Sequence, residues 1–161
     1  MTTPTGDYFT YPPPRRVGAL ALIERSGEFL VIQRSYWQEV SRWGLPGGSA
    51  QPNELPRRAL SRLLAEKLGL RATADALLAL DHAPEWPGRF REGMNFVYHV
   101  RLSGQAEVTV SDSSGYAESR WLTLDGIAEL AVDHELLRIR QCAEALRTGS
   151  FKELLMGIPM I

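Results

Sequence analysis

The sequence predicts an α/β (α+β) domain in which a mixed β-sheet is sandwiched between helices. Short apolar runs bounded by turn residues recur along the chain, which is the pattern of buried strands. A helix-forming segment over about 55–68 lies between these strand candidates, so it is expected to be central and to cover one face of the sheet. The chain has 161 residues, enough for one domain with a sizeable core.

The first 16 residues differ from the rest and predict an extended N-terminal arm. Pro12, Pro13 and Pro14 cannot join the interior of a sheet, because proline has no backbone N–H. The arm also carries three aromatic side chains, Tyr8, Phe9 and Tyr11. We expect these to pack on the domain or on a partner subunit, which makes a homodimer possible. Residues 17–161 are predicted to form a single domain, because no linker or internal repeat divides them.

The first strands are predicted as a hairpin. Residues 17–23 are apolar and indicate a buried strand, and residues 29–32 indicate a second one. Arg25, Ser26 and Gly27 supply the turn between them. The next segment contains Trp37 and Trp43 and ends in two glycines.

The rest of the chain alternates helices with further strands. The helix at 55–68 tolerates Pro56 in its first turn, and Gly69 is a natural stop. Asp125 is predicted to cap a short helix, and Asp133 a longer one that ends near Gly149. Four more strands are predicted at 76–80, 95–102, 108–110 and 120–122. A polar loop is predicted at 81–93.

Composition excludes several functional classes. The formal net charge of −1 and the lack of a basic tail argue against nucleic-acid and membrane partners. Neither a signal peptide nor an apolar run long enough to span a bilayer is present in the sequence, so a cytoplasmic location is predicted. Cys142 is the only cysteine, which excludes an intrachain disulfide and predicts a buried, unreactive thiol.

One segment carries a spaced motif. A glycine is followed after five residues by a glutamate, and after seven more by an arginine that opens a second cluster. The matching positions are Gly48, Glu54, Arg62, Leu64, Glu66, Gly69 and Leu70. This segment resembles the Nudix box, and the preceding residues 43–48 and the later residues 118–121 are also typical of that superfamily. The resemblance covers about 17–130 and implies a Nudix fold that hydrolyses a diphosphate-linked small molecule.

Two positions depart from the Nudix pattern, where Leu63 and Lys67 replace glutamates. Positions 63, 66 and 67 lie within an arc of roughly 100° on a helix. The resemblance implies three carboxylates on this arc, holding Mg²⁺ or Mn²⁺. Here the charges of Glu66 and Lys67 cancel. A helix face with one carboxylate and no net charge is a poor site for a hard cation. We expect a hydrolytic loss of roughly 10³-fold or more unless other groups rebuild the site.

The surviving box residues have structural and catalytic interpretations. Gly47, Gly48, Glu54, Arg62 and Gly69 are expected to form the scaffold of the box. Within this scaffold, Glu54 and Arg62 are expected to pair. Glu66 remains as a catalytic carboxylate and a weak metal ligand, if a metal binds. Glu118 matches a position from which the family often supplies a late acid. Three loop acids, Glu39, Glu85 and Glu92, are candidates to assist.

A set of cationic and aromatic residues is expected to bind a small, anionic ligand. Arginine and lysine suit phosphate or carboxylate, tryptophan can stack on a ring, and His82 is a candidate general base. The predicted set is Lys67, Arg34, Trp37, His82, Glu85, Arg89 and Arg91. Three interpretations stay open: a hydrolase with an atypical metal site, a non-hydrolytic ligand-binding or regulatory protein, and an enzyme with metal-independent chemistry in the same pocket.

Overall fold

The computed structural model describes residues 6–35, 43–103 and 105–160. Its helices are α1 (Pro56–Leu68), α2 (Leu124–Ala128) and α3 (Asp133–Thr148). Its strands are β1 (Arg16–Leu22), β2 (Glu24–Arg25), β3 (Glu28–Arg34), β4 (Trp43–Gly44), β5 (Gly47–Ser49), β6 (Ala74–Ala83), β7 (Gly93–Val100), β8 (Tyr116–Leu122), β9 (Lys152–Leu155) and β10 (Ile158–Pro159). No helix in the described ranges is long and apolar enough to cross a membrane.

The strands form two sheets. The larger sheet has the order β10-β9-β6-β7-β1-β5. It is mixed, because β1 runs parallel to β7 and β6 parallel to β9, while its other pairs are antiparallel. The second sheet is antiparallel and joins β3 to β2, β4 and β8. The predicted mixed sheet is confirmed, with this smaller sheet in addition.

Two apolar cores lie on opposite faces of the sheet. Successive side chains of a strand point to opposite faces, and β1 follows this rule. Leu20 and Leu22 pack in the core that contains Ile139 of α3. Ala19, Ala21 and Ile23 pack in the core that contains three leucines of α1, Leu60, Leu64 and Leu68. The sheet is therefore sandwiched between helices, as the sequence predicted.

Helix α1 forms where the sequence placed it. Leu60, Leu64 and Leu68 are fully buried at a spacing of four residues, which directs one stripe of the helix toward the sheet. Pro56 occupies the first turn, where a missing N–H removes no helical bond. Gly69 ends the helix in the left-handed conformation, at a φ of 65°. The box helix is thus set by its own sequence signals.

The predicted loop at 81–93 was wrong only at its ends, since residues 84–92 connect β6 to β7, but one predicted strand was wrong. Strand β6 continues to Ala83 because it pairs with β7 on one side and β9 on the other. Asp81 and His82 are therefore strand residues. The segment 108–110 is not a strand. Instead the backbone N–H of Thr109 donates to the Leu68 carbonyl, and that of Ser111 to the Lys67 carbonyl, which ties this segment to the end of α1.

Both predicted helix caps were also wrong. Helix α2 is capped by Thr123, whose side chain accepts a hydrogen bond from the Gly126 N–H at 3.2 Å. Asp125 lies in the first turn instead. Val132 precedes α3 without a side-chain cap, and Asp133 is its first residue. Both aspartates still interact favourably with the positive end of a helix dipole.

The three aromatic side chains of the N-terminal segment are exposed in the part of the chain that the structure describes. Phe9 is 99% exposed, and Tyr8 and Tyr11 are also exposed. Strand β1 begins at Arg16, within the predicted arm. The division of the chain into an arm and a single domain stays a prediction, and so does a homodimer.

Cys142 lies on the buried face of α3, with 0% of its surface exposed. Burial raises the pKa of its thiol to about 12. The thiolate is the reactive form of cysteine. The prediction that this thiol is buried is therefore confirmed, and that it is unreactive stays a prediction.

The backbone at Gly47 admits no side chain. Its φ is +142°, and a Cβ there would lie 2.0 Å from the carbonyl oxygen of Ala19. We expect Gly47→Ala to lower the free energy of unfolding by at least about 2 kcal/mol. Gly149→Ala is the matched control, because Gly149 also has a positive φ but no atom within 4 Å of its Cβ position. Urea unfolding of both variants tests this. If both lost the same free energy of unfolding, a steric clash at Gly47 would be contradicted.

Candidate active site

The box loop lies directly on the helix face that carries the two substitutions. A Cβ at Gly48 would be 3.3 Å from Cδ1 of Leu63 and 3.4 Å from Nζ of Lys67. Leu63 is buried, with 6% of its surface exposed. The face on which the resemblance places carboxylates is therefore closed here by an apolar side chain and an ammonium.

The expected pair of Glu54 and Arg62 is present. Nε and Nη2 of Arg62 donate to the two carboxylate oxygens of Glu54 at 2.9 and 2.8 Å, a two-pronged contact. The Arg62 guanidinium lowers the pKa of the Glu54 carboxyl to about 2, helped by the N–H of Gln51. Nη1 of Arg62 also contacts Glu66 at 3.2 Å. The pair joins the box loop to α1.

Acid should weaken this junction. A carboxyl whose pKa falls on folding stabilises the folded state at any pH above its ordinary pKa, which is 4.5 here. This contribution is lost as the pH falls toward the folded-state pKa of about 2. We expect the stability difference between wild type and Glu54→Gln to be full at neutral pH and to shrink below pH 4.5. Urea unfolding across this range measures it. The exposed Glu107, changed to Gln, is the control, and a pH-independent difference for Glu54→Gln would contradict the prediction.

Lys67 occupies a defined position over the box loop. Its Nζ lies 4.8 Å from the centroid of the Tyr116 ring, within reach of a cation–π contact. That ring is held by Gly47, whose N–H donates to the Tyr116 hydroxyl at 3.0 Å and whose carbonyl accepts from it at 2.6 Å. Burial lowers the pKa of Lys67, and the positive charges of Arg34 and Arg62 lower it further. The ammonium thus sits in a positive electrostatic environment.

The donor set on this face does not fit a hard divalent cation. Such ions need several oxygen ligands, some of them anionic. Leu63 offers none, and the Lys67 ammonium would repel the ion. Glu66 contacts Arg62, and Glu118 lies on β8, where it pairs with Arg120 at 2.9 Å. In the parts of the chain that the structure describes, no three His, Cys, Asp or Glu side chains are grouped as a metal would need.

A cavity of about 220 Å³ opens beside the box loop. Strand β5 forms one wall, and three arginines, Arg16, Arg34 and Arg138, contribute to the others. His134, at the start of α3, also faces the cavity, and burial lowers its pKa, which favours the neutral imidazole. The cavity therefore combines guanidinium groups, a neutral imidazole and the backbone of the box.

A buried charge network forms the floor of this cavity. Arg138 contacts Asp81 at 2.5 Å and Glu135 at 3.0 Å, and Glu135 also contacts Arg34 at 3.5 Å. The Gly157 N–H donates to Asp81 at 3.1 Å. All four charged side chains are buried, with exposed fractions of 10% or less. The network links α3 to β6 and β3.

Sequence reasoning missed most of these residues. It placed Asp81 in a polar loop, gave His134 no role and did not single out Glu135 or Arg138. The available signal was the acid and base at positions 135 and 138, three apart on the predicted helix, where one face is otherwise apolar. Ion pairs on a helix are usually solvated, so this signal did not distinguish burial from exposure.

Of the residues predicted to bind a ligand, the structure brings Lys67 and Arg34 near each other, and the other described ones lie apart from them. Arg34 lines the cavity, and Lys67 lies against Gly48, which also lines it. His82 is half-buried in β6 and does not line the cavity. Glu85, Arg89 and Arg91 are exposed in the turn after β6, whereas their neighbours Ala83 and Phe90 reach the cavity. Trp37 and Glu39 lie outside the described residues.

Of the predicted helper acids, the two that the structure describes, Glu85 and Glu92, do not form a metal-binding group with Glu66. Glu92 pairs with Arg15 at 2.6 Å, and Glu85 is exposed. Glu118 was considered as a loop carboxylate, but it is a strand residue opposite Gln33, and its side chain is 41% exposed. Glu66 is 59% exposed, so both carboxylates are open to water. Their catalytic roles remain predictions.

Comparison with known proteins shows to which family this chain belongs. The NUDIX domain profile matches residues 12–140 of the chain. The chain belongs to the Nudix family. A MutT-like protein of Streptomyces ambofaciens is 28% identical over 131 residues, which cover 81% of this chain and 78% of that protein.

Two hydrolases are also similar to this Nudix chain. The CTP pyrophosphohydrolase of Escherichia coli strain K12 is 40% identical over 70 residues, 43% of this chain and 51% of that enzyme. The crystal structure of a MutT NUDIX hydrolase from Burkholderia pseudomallei superimposes with a TM-score of 0.66 at 26% identity, covering 80% of this chain and 98% of that one. The Nudix fold predicted from the box is thereby confirmed.

Proposed function

We propose that this chain is an atypical Nudix hydrolase of a diphosphate-linked small molecule, a nucleoside diphosphate joined to a second group. One observation carries this proposal. Strand β5 lines the cavity and also lies on the face of α1 that holds Leu63 and Lys67. A ligand whose ring occupies the cavity therefore extends its diphosphate toward the box. The named relatives with hydrolase activity support the reaction class.

The proposed reaction depends weakly on divalent cations. Relatives of this family generally use Mg²⁺ or Mn²⁺, but the donor set here does not suit either ion. Glu66 and Glu118 are proposed as the carboxylates that accept a proton from the attacking water, since both side chains reach solvent. Without a metal to activate that water, we expect turnover far below that of an intact Nudix box.

A substrate panel with and without metal tests this function. Nucleoside diphosphate sugars and nucleoside triphosphates would be incubated with Mg²⁺, with Mn²⁺ or with EDTA, and phosphate-ester products measured. We expect slow turnover of at least one compound, changing less than about tenfold between Mg²⁺ and EDTA. Glu66→Gln, purified in parallel, is the control for a contaminating hydrolase and should be inactive. Acceleration by Mg²⁺ of a hundredfold or more would contradict the atypical site.

The second candidate function is non-hydrolytic binding of the same ligand class. The contact between Glu66 and Arg62 supports it, because it engages the carboxylate that the hydrolytic mechanism requires. Calorimetry with the compounds of the panel distinguishes the two functions. Binding of a compound that the protein leaves intact would support the binding protein, whereas product formation that Glu66→Gln abolishes would support the hydrolase.

A further inference from the structure

The helix face that lacks metal ligands has a fixed cation in their place. Lys67 is held from both sides, by the Tyr116 ring at 4.8 Å and by the backbone at Gly48, where a Cβ would be 3.4 Å from Nζ. The carbonyl of Lys67 also accepts a hydrogen bond from Ser111 at 3.0 Å, which fixes this end of α1. The position of the ammonium is therefore set by packing on several elements.

The charges around Lys67 favour an anion next to it. Arg34 and Arg62 both act on it repulsively, and Glu66 is the carboxylate that opposes them. Glu66 is itself in contact with Arg62. No ion pair joins Lys67 to an acid in the described ranges. An ammonium without a carboxylate partner, in a positive field and half-removed from water, is a favourable place for phosphate oxygens.

The surroundings of Lys67 also connect it to the cavity. Gly48, over which the ammonium lies, lines the cavity together with Gly47, Ser49 and Arg34. In a Nudix protein with carboxylates at these positions, those side chains would hold a divalent cation, and the cation would supply positive charge to the diphosphate. Here the protein carries a positive charge covalently at the same box face, while an apolar Leu63 closes the neighbouring position.

We propose that Lys67 replaces the divalent cation and binds the diphosphate of the ligand directly over Gly48, so that binding requires no metal. This inference rests on the proposed function for its ligand class. It differs in predicting tight association in a chelating buffer, whether or not hydrolysis follows. Arg34 is the second cation that the bound diphosphate would meet, at the boundary between the box and the cavity.

The lysine content of the chain allows a direct test. Lys67 and Lys152 are the only lysines, so protein labelled with ¹³Cε-lysine gives two signals. Lys152 lies on β9, where it contacts Glu144 at 3.6 Å, and it serves as the internal control. Inorganic pyrophosphate would be titrated in EDTA, and Lys67→Arg assigns the signals. We expect a saturable shift of the Lys67 signal alone. No shift, or equal shifts of both signals, would overturn the proposal.

Affinity measurements complete the test. By calorimetry in EDTA, Lys67→Met is expected to weaken pyrophosphate binding at least tenfold, because it removes the charge but keeps an unbranched side chain. Arg58→Met is the matched control, an exposed cation on the same helix, and should bind within about twofold of wild type. Equal affinities for wild type and Lys67→Met, or wild-type binding that needs Mg²⁺, would refute a metal-replacing lysine.

The two proposals fail in different ways. Pyrophosphate binding at Lys67 in EDTA, with no turnover of any compound in the panel, would remove the hydrolase and leave the anion site. Turnover without a pyrophosphate-dependent shift of Lys67 would remove the anion site and leave the hydrolase. If Lys67→Met were too unstable to study, the signal shifts of the wild-type protein would still show whether Lys67 binds pyrophosphate.

Discussion

The double variant Leu63→Glu/Lys67→Glu is expected to bind Mg²⁺ with a sub-millimolar dissociation constant, whereas the wild type is not. The substitutions change the formal charge of the helix face formed by positions 63, 66 and 67 from zero to −3, and they provide the carboxylate oxygens that Mg²⁺ prefers. If loss of the metal is the main defect of this box, turnover in Mg²⁺ should rise at least tenfold over wild type. Calorimetry and the substrate panel measure both effects.

The same variant should make stability depend on metal. Leu63 is buried against Gly48, so a glutamate there loses apolar contact and places a charge in a partly dry site. Without metal, we expect a lower melting temperature than wild type. With Mg²⁺ at 100 times its dissociation constant, binding returns about 2.7 kcal/mol of stability. A wild-type protein without a site would show no such recovery.

The control for this experiment is Leu63→Gln/Lys67→Gln. It introduces polar side chains of matched size at both positions but adds no negative charge. Its Mg²⁺ affinity should remain at the wild-type level. If the glutamine and glutamate variants bound Mg²⁺ equally, or if neither bound it, the explanation from the missing carboxylates would be wrong, and the pocket would differ from the family in other ways.

Arg138→Met is expected to lower the free energy of unfolding by about 3–5 kcal/mol. The guanidinium is buried between Asp81 and Glu135, at 2.5 and 3.0 Å. Removing it leaves two buried carboxylates without their shared partner. This loss would be a large fraction of the stability of an ordinary domain.

Arg140→Met is the matched control, because Arg140 is exposed on the same helix two residues later. Its effect should be within about 0.5 kcal/mol of wild type. Urea unfolding of these two variants checks this, and adding Asp81→Asn and the double variant Asp81→Asn/Arg138→Met completes a double-mutant cycle that isolates the coupling of the buried pair. Losses below about 1 kcal/mol for Arg138→Met would show that this network contributes little to stability.

Local signals in the sequence determined the box and its helix. The spacing of Leu60, Leu64 and Leu68 and the stop at Gly69 predict α1, and the structure places the helix within one residue of that prediction. The pair of Glu54 and Arg62 also followed from the motif, since its members lie eight residues apart, on the loop and on the helix. The substitutions at Leu63 and Lys67 were visible without any structure, and they remain the basis of the functional question.

The cavity could be found only from the tertiary structure. Its walls come from β1, β3, β5 and the start of α3, which are far apart along the chain. Arg138 meets Asp81 across 57 residues of sequence. Periodicity reports which face of an element is apolar, but it does not report which distant element covers that face. The sequence therefore revealed the two substitutions in the box, whereas the packing of α3 on β6 formed the arginine-lined cavity beside it.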